Sequence, residues 1–372
     1  MADAGRIVII PKGEYKSNIT YERLDAVEYN NNGYIALKTV TGITPTNDGT
    51  NWTLYVKGTQ VDTSLSATSS NPVANKVVAK AVNDIEKEIG ILSQTVTHNM
   101  PRIVPKDITL YITDGTFYKR LNGTDGFDLF EDIYVGDYIK MSRPITCPNQ
   151  DSSIATTTGS QYVTIIGLDA LRGNGDNIDV NYHHAVMTAG QGFSGAQHFG
   201  KHKMNSANTT VGGYIGSEMN TSILGAVTSS GSTASDATIN QQLYAEFGSH
   251  LKTTRELCSN SVNESGYNRF GSNTGCSNSW AWDNFQAILM SEIEVYGSTV
   301  WSSSGHDTGN ATMQMPLFTH NRQAMNNRSS WYWLKDMASG AYVCNCDTTG
   351  RVDYSSADNP RGGVRPRFVI GA

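Results

Sequence analysis

Two carboxylates stand two residues apart at Glu292 and Glu294, and on an extended strand they would share one face. Paired carboxyl groups at a set separation in a groove are what glycosidic-bond hydrolysis needs. Four histidines, His183, His184, His198 and His202, crowd one stretch of the chain. On a helix, His198 and His202 would lie on one side and could ligate a metal. Gly195, Gly200 and Lys201 argue against a helix there and no third ligand is evident, so hydrogen-bonded loop histidines are expected. The five cysteines are an odd number. Cys344-x-Cys346 is too close for an ordinary disulfide in a strand and lacks the second pair that closes a zinc site. All five are read as reduced, and no metal or other cofactor is expected.

A different chemistry gathers towards residue 359. Asn326, Asn327, Ser329, Trp331, Tyr332, Tyr342, Asn345, Asp347, Asp353, Tyr354, Ser356, Asp358 and Asn359 mix short hydrogen-bonding side chains with aromatic rings. Such mixtures make adaptable binding surfaces, with aromatics as anchors; the same polar residues also solvate turns. Trp333 and Leu334 are assigned to the core instead. The net charge is -6 with no dense Lys/Arg block, so nucleic acid is not an expected partner. No apolar run is long enough to insert in a bilayer. The first residues lack the apolar core of a secretion signal, so synthesis in a cytosol is expected.

Residues 1–58 read as a small β module. Short runs at 6–10, 25–29, 34–39 and 52–56 are broken by the turn signals Asn30-Asn31-Asn32-Gly33 and Asn47-Asp48-Gly49. Tyr21, Tyr29, Tyr34 and Trp52 supply most of its apolar bulk, as a core or as a strip on which sugars stack. Residues 59–102 begin as a Ser/Thr-rich linker and pass into a helical pattern. Val78, Val82, Ile85, Ile89, Leu92 and Val96 alternate four and three residues apart, the spacing of a coiled-coil seam. β-Branched residues at both seam positions favour three strands. Asn71-Pro72 supplies the helix start and Pro101 its end. Residues 103–146 alternate apolar and polar, as at Ile108, Leu110 and Ile112, with turns at Asp114-Gly115, Asn122-Gly123 and Asp125-Gly126. That pattern predicts a small β connector. Residues 147–372 are a loop-rich, aromatic head. By spacing, 285–296 passes for a helix, yet 291–297 alternates strictly, leaving strand open for its second half.

Within residues 1–58 the order Tyr, Asp-x-Val, Gly-Tyr-Ile-Ala, Pro, Trp resembles small carbohydrate-binding modules of the chitin-binding type. Similar modules recur at the N-termini of phage tail and baseplate proteins. Thr63-Ser64-Leu65-Ser66 through Ser70-Asn71-Pro72-Val73-x-Asn75-Lys76-Val77-Val78 resembles a stretch common in phage tail-fibre shafts. In the head the ordered motifs are His183-His184, Met204-Asn205, Asn208-Thr209-Thr210 and Gly212-Gly213-Tyr214-x-Gly216-Ser217-Glu218-Met219. Ser291-Glu292-x-Glu294-Val295-Tyr296-Gly297, Tyr332-Trp333-Leu334-Lys335-Asp336, Gly350-x-Val352 and Gly363-Val364-Arg365-Pro366 follow. The set resembles a family of C-terminal domains in tail proteins of phages of Gram-positive hosts. Those domains are similar to the C-type lectin fold, in the branch shared with formylglycine-generating enzymes and variable proteins of diversity-generating retroelements. The match covers about residues 146–372.

The formylglycine branch implies a copper-dependent enzyme with a pair of active-site cysteines, which Cys344 and Cys346 do not match. Calcium-dependent lectins imply an Asx/Glx pair around a cis-proline and a Trp-Asn-Asp strand. Here Trp282-Asp283-Asn284 is reversed and Asp358-Asn359-Pro360 lacks that context, so no such site is expected. Glu292 and Glu294 fall within the family motif, which implies a structural role. The retroelement branch diversifies the segment near the C-terminus through adenine-rich codons that favour Asn, Ser, Tyr and Asp.

The resulting expectation is a mainly β fold with a central α-helical coiled coil, a small N-terminal β module, a short β connector and a C-type-lectin-like α+β head. The implied function is that of a bacteriophage tail receptor-binding protein, a homotrimer of the virion and not an enzyme. Its N-terminal module would attach to baseplate or tail proteins, and its head would recognise a host cell-surface glycan or protein. A tail-borne glycan depolymerase on the same scaffold is the alternative. A bacterial surface adhesin is a third reading, disfavoured by the missing secretion signal.

Overall fold

A computed structural model of the chain describes residues 8–148, 159–172, 183–193, 198–262, 277–302, 313–326 and 330–371. The chain divides into two compact units, residues 1–90 and 91–372. The first carries β1 (Ile10–Glu14), β2 (Thr20–Tyr21), β3 (Asp25–Tyr29), β4 (Asn32–Ala36), β5 (Val40–Thr41) and β6 (Trp52–Val56). They form a four-stranded sheet in the order β1-β3-β4-β6 and a separate β2-β5 pair. Asn30 and Asn31 both take positive φ, 49° and 66°, as a two-residue hairpin loop requires and asparagine tolerates. Asp48 shapes the loop before β6, accepting from the backbone N–H groups of Thr50, Asn51 and Trp52. Hydrogen bonds from the Asn51 side chain and these amides hold its carboxyl well below the usual range.

Tyr21, Val27, Ala36, Val40 and Trp52 are the core of this unit. Trp52 is fully buried, donating its indole N–H to the Ile43 carbonyl at 2.9 Å, and Tyr21 meets it edge-on at 5.6 Å. Burial removes both rings from any sugar-stacking strip. The run expected at 6–10 falls partly outside the described residues, and the strand there begins at Ile10. The run expected at 34–39 begins earlier, at Asn32.

α1 (Asn75–His98) crosses from the first unit into the second. It starts after Asn71, whose amide instead donates to Asp62 at 3.1 Å. Val78, Val82, Ile85, Ile89, Leu92 and Val96 are each between 45 % and 64 % exposed, and no other described element packs extensively along the helix. The expected coiled coil is therefore overturned: the chain is mostly β-sheet and α1 runs alone. An a/d pattern records which side of a helix is apolar, and a solitary helix can carry it too. The last turn of α1 is tied into the second unit. His98 is buried there, with Nδ1 2.7 Å from the Ile133 carbonyl. The Asn99 side chain exchanges two 2.8 Å hydrogen bonds with the Leu168 backbone.

The β connector is overturned as well. α2 (Thr109–Thr113) and α3 (Phe117–Asn122) occupy its centre, and β7 (Tyr138–Lys140) joins the main sheet of the second unit. Leu110 is 67 % exposed while Ile108 is buried, so the two do not share a face as alternation implied. Gly123 ends α3 in the left-handed conformation, φ 61°. A helix C-terminus and a hairpin turn ask the same of glycine, so Asn122-Gly123 could not distinguish them.

The second unit continues with β8 (Tyr162–Leu168), β9 (His184–Ala189), α4 (Ile239–Phe247), β10 (Leu251–Lys252), β11 (Thr254–Val262), β12 (Ser277–Phe285) and β13 (Ala287–Leu289). Then come α5 (Glu292–Tyr296), α6 (Pro316–His320), β14 (Tyr332–Met337), β15 (Tyr342–Cys346), β16 (Val352–Ser356) and β17 (Pro366–Gly371). The main sheet is antiparallel, ordered β10-β17-β9-β8-β7, with β13 also paired to β17. β9 and β17 are buried along their whole length, so apolar residues occupy both faces and alternation is lost. β11 and β12 form a long hairpin, and β14-β15-β16 a second antiparallel sheet. One core extends from Ile108 to Ile370 and takes in the expected connector.

Because Trp52 fills the centre of the first unit, Trp52→Ala is expected to lower that unit's stability by about 3–5 kcal/mol. Urea unfolding followed by near-ultraviolet dichroism measures this. A loss below about 1 kcal/mol would show that the Asn and Asp turns, not the ring, hold the unit together.

Candidate functional site

The site rests on a buried set of charges. Arg367 of β17 is buried and pairs with Glu256 of β11 at 2.8 Å and with Glu294 of α5. Burial opposes the guanidinium charge, but the two carboxylates raise its pKa overall. Burial likewise opposes the Glu256 charge, and Arg367 and Lys335 overcome it, holding that carboxyl below its usual range. Lys335 is itself buried, 3.9 Å from Cys258 Sγ.

Glu294 also starts α5. Ser291 is extended (ψ 166°), its Oγ accepts from the Glu294 N–H at 3.1 Å, and Glu294 accepts from the Ser291 N–H at 2.7 Å. This reciprocal capping box makes the segment a helix, closed at Gly297 with φ 79°. The strand left open for 291–297 is thus excluded, and with it the shared face of Glu292 and Glu294. Both carboxylates are fully buried. Glu292 accepts from the N–H groups of Val300 (2.8 Å), Trp301 (3.1 Å) and Ser302 (3.1 Å) and from the Ser302 hydroxyl (2.7 Å). A carboxylate taken from water needs such donors, and here one short loop supplies them all.

That loop delivers Trp301. Its ring meets Tyr354 of β16 edge-on at 5.0 Å, and Tyr354 meets Tyr342 of β15 edge-on at 5.5 Å. The register explains the meeting: Cys344 pairs with Tyr354 and Tyr342 with Ser356, so the two tyrosines are diagonal neighbours on one face. Tyr342 is 37 % exposed, and Trp301 and Tyr354 are half-buried. Ser356 shares their face of β16, whereas Asp353 and Ser355 alternate to the other face, where the Asn359 amide donates to Ser355 Oγ at 2.9 Å; all four are partly exposed.

The residues expected to bind fall into separate places. Tyr342, Asp353, Tyr354, Ser356, Asp358 and Asn359 gather on β15, β16 and the turn that follows. Trp331 packs edge-on against Trp333 at 4.8 Å, at the opposite end of this sheet, where Tyr332 pairs with Cys346. Asp347 lies at that end too. Despite partial burial, hydrogen bonds from Thr349 and Arg351 bring its carboxyl down to about 2. Asn326, Tyr332 and Asn345 are buried, so they shape the segment and do not face a ligand. Asn327 and Ser329 lie outside the described residues. Trp301 was not anticipated: no spacing rule links it to Tyr354, and its one signal is a ring standing among Ser298, Thr299 and Ser302.

No helix spans His198 to His202. Burial lowers His198 to about 4, and its Nδ1 accepts from the Gly200 N–H at 3.2 Å. Asp169 engages both remaining histidines, His183 Nδ1 at 2.7 Å and the His184 N–H at 2.9 Å. Among the described residues no group of three or more His, Cys, Asp or Glu is placed to hold a metal ion. Trp282-Asp283-Asn284 lies on β12 and Asp358-Asn359-Pro360 in the turn after β16. Cys147, Cys258, Cys344 and Cys346 are buried free thiols. A void beside Lys335 and Cys258 holds about 10 Å³, the room of one water. In the first unit, a groove of about 880 Å³ is lined by Glu14, Glu28, Tyr29, Asn31 and Tyr55 among others.

Arg367→Leu is expected to cost about 3–5 kcal/mol, because Glu256 and Glu294 stay buried without the guanidinium they pair with and only Lys335 remains to offset their charge. Glu256 has a depressed folded pKa, so its contribution is present above the unfolded glutamate value of about 4.3. It is lost as pH falls through the lower folded value. Melting curves from neutral to acid pH should therefore show an acid loss in the parent chain that shrinks or reverses in Arg367→Leu. Equal acid sensitivity in both would remove these ion pairs from the account.

Compared with protein-family models, with curated proteins and with solved structures, the chain finds no match in any of the three. The expectation of a C-type-lectin-like α+β head is given up, and the fold class is corrected to a mostly β-sheet protein whose helices, α1 apart, are short.

Proposed function

We propose that the chain is a bacteriophage tail receptor-binding protein that attaches the virion to a host cell through residues 147–372. The observation that carries this reading is the ridge of Trp301, Tyr354 and Tyr342 with its polar rim. Aromatic rings give contact area at a small loss of conformational entropy, and short polar side chains adapt their hydrogen bonds around them. No observation favours a glycan depolymerase, since Glu292 and Glu294 are both engaged inside the protein.

In this reading the first unit joins tail or baseplate proteins, and the working form is a homotrimer. Support for self-association comes from apolar side chains left in water. They are Met100, Ile103 and Val104, exposed to 55 %, 98 % and 74 %. Apolar surface on that scale marks an interaction site. No described helix is long and apolar enough to cross a membrane, and the reading requires none to do so.

Tyr354→Ala is expected to weaken binding of the whole chain to host cells about 30-fold, the roughly 2 kcal/mol of a central aromatic anchor. Trp331→Ala, at the far end of the sheet, should weaken it much less. Cell-bound fluorescence of labelled protein reads both, and normal adsorption by Tyr354→Ala would sink the ridge as the receptor site. Sedimentation equilibrium is expected to give three times the 40.4 kDa chain mass. Ile103→Asp combined with Val104→Asp should lower it, by placing carboxylates without partners in the contact. A parent chain that sediments as a monomer rules out the trimer.

A further inference from the structure

We infer that the ligand of the Trp301–Tyr354–Tyr342 ridge is a saccharide and that Glu292 is the residue that positions the ridge. This rests on the receptor-binding reading above. The surface chemistry favours a sugar over a protein epitope. A stable protein interface buries about 800 Å² on each partner around an apolar centre. β14 is buried throughout and β15 exposes Tyr342 alone, so among the described residues of this sheet and the Trp301 loop the one exposed aliphatic side chain is Val300, at 52 %. On the rings' own face of β16 stands the Ser356 hydroxyl, and across that strand Ser355, Asn359 and Asp353 add hydroxyl, amide and carboxylate. Pyranose rings offer an apolar C–H face that stacks on an aromatic ring, and a perimeter of hydroxyls that donate to and accept from such groups. Two edge-to-face contacts in series give a stepped surface one or two rings wide, the scale of one or two sugar units. Arg351, in the turn before β16, is paired with Asp347 at 2.7 Å.

Glu292 enters because sugars bind weakly and gain most from a surface that is already in place. Tyr342 and Tyr354 are held by strand pairing, whereas Trp301 comes from a loop. The loop's backbone is fixed by the four hydrogen bonds that Glu292 accepts from Val300, Trp301 and Ser302. Glutamine keeps the volume but places an amide N–H where one of those donors points, so Glu292→Gln should release Trp301 from Tyr354 while leaving Arg367 and its partners intact.

The test uses the full chain against immobilised oligosaccharides of hexose, N-acetylhexosamine and deoxyhexose, and against host cells treated with periodate or with protease. The expected result is binding to at least one oligosaccharide class, with adsorption that survives protease and is lost after periodate. Trp301→Ala should weaken saccharide binding at least tenfold and Trp301→Phe much less, since a ring remains. Glu292→Gln should approach the loss of Trp301→Ala at an unchanged circular-dichroism spectrum, and should abolish the saccharide-induced change in tryptophan emission. Should Glu292→Gln fail to fold, the two Trp301 variants decide the ligand alone and Ser302→Ala, which removes one donor, decides the positioning role. Adsorption that resists periodate, falls with protease and still depends on Tyr354 overturns the saccharide and leaves the receptor-binding reading standing. Failure to bind any cell or any oligosaccharide overturns both. Full saccharide affinity in Glu292→Gln, with Trp301→Ala impaired, removes Glu292 from the site.

Discussion

A guanidinium in the middle of a β-sheet core must have its charge met, and in the second unit that requirement falls on Arg367. Glu256 answers from the β11–β12 hairpin and Glu294 from α5, so one side chain of β17 fixes two elements against the main sheet. A buried ion pair adds little net stability over a well-packed apolar trio; what it supplies here is registry, since only one placement of hairpin and helix satisfies it. Glu294 meets a second demand with its other oxygen, which closes the first turn of α5. With α5 pinned, Glu292 can face the segment that follows and hold it. The exposed ridge is the outer end of a line of polar constraints that begins in the core.

Distance along the chain explains what the sequence disclosed. The hairpin at Asn30-Asn31 and the Asp48 loop were legible because donor and acceptor lie within a few residues, so residue type alone implies the geometry. The runs at 25–29 and 52–56 were legible because turns bound them. Arg367 and Glu256 are 111 residues apart, and no periodicity announces such a pair. Trp301 went unnoticed for the same reason: its partners are Glu292 on one side and a strand far downstream on the other.

The misreadings share a cause. Ser291-Glu292-Ile293-Glu294 satisfies strand alternation and a capping box at once, and the box prevailed because its second carboxylate also meets Arg367. Ile108, Leu110 and Ile112 alternate over too short a span to separate a strand from a turn of helix, and Gly123 suits either end. The stripe on α1 was real, but a stripe specifies which side is apolar and is silent about what covers it. Of the residues expected at the surface, Tyr332 and Asn345 are buried because β14 is covered along its whole length and β15 everywhere but at Tyr342, so neither strand has a solvent face.

β17 has a consequence for the order of events during synthesis. It lies between β9 on one side and β10 and β13 on the other, and its contacts reach back to β9 across 178 residues. Until Pro366–Gly371 leaves the ribosome, nothing joins β10 and β13 to β9, Glu256 and Glu294 lack Arg367, and the apolar faces of β8 and β9 stay open to any other edge that passes. The second unit is therefore unable to close progressively behind the ribosome and must wait for its last strand. Such late, long-range pairing is slow and exposes sticky edges meanwhile, so β8 and β9 need shelter until a partner 178 residues downstream has been made.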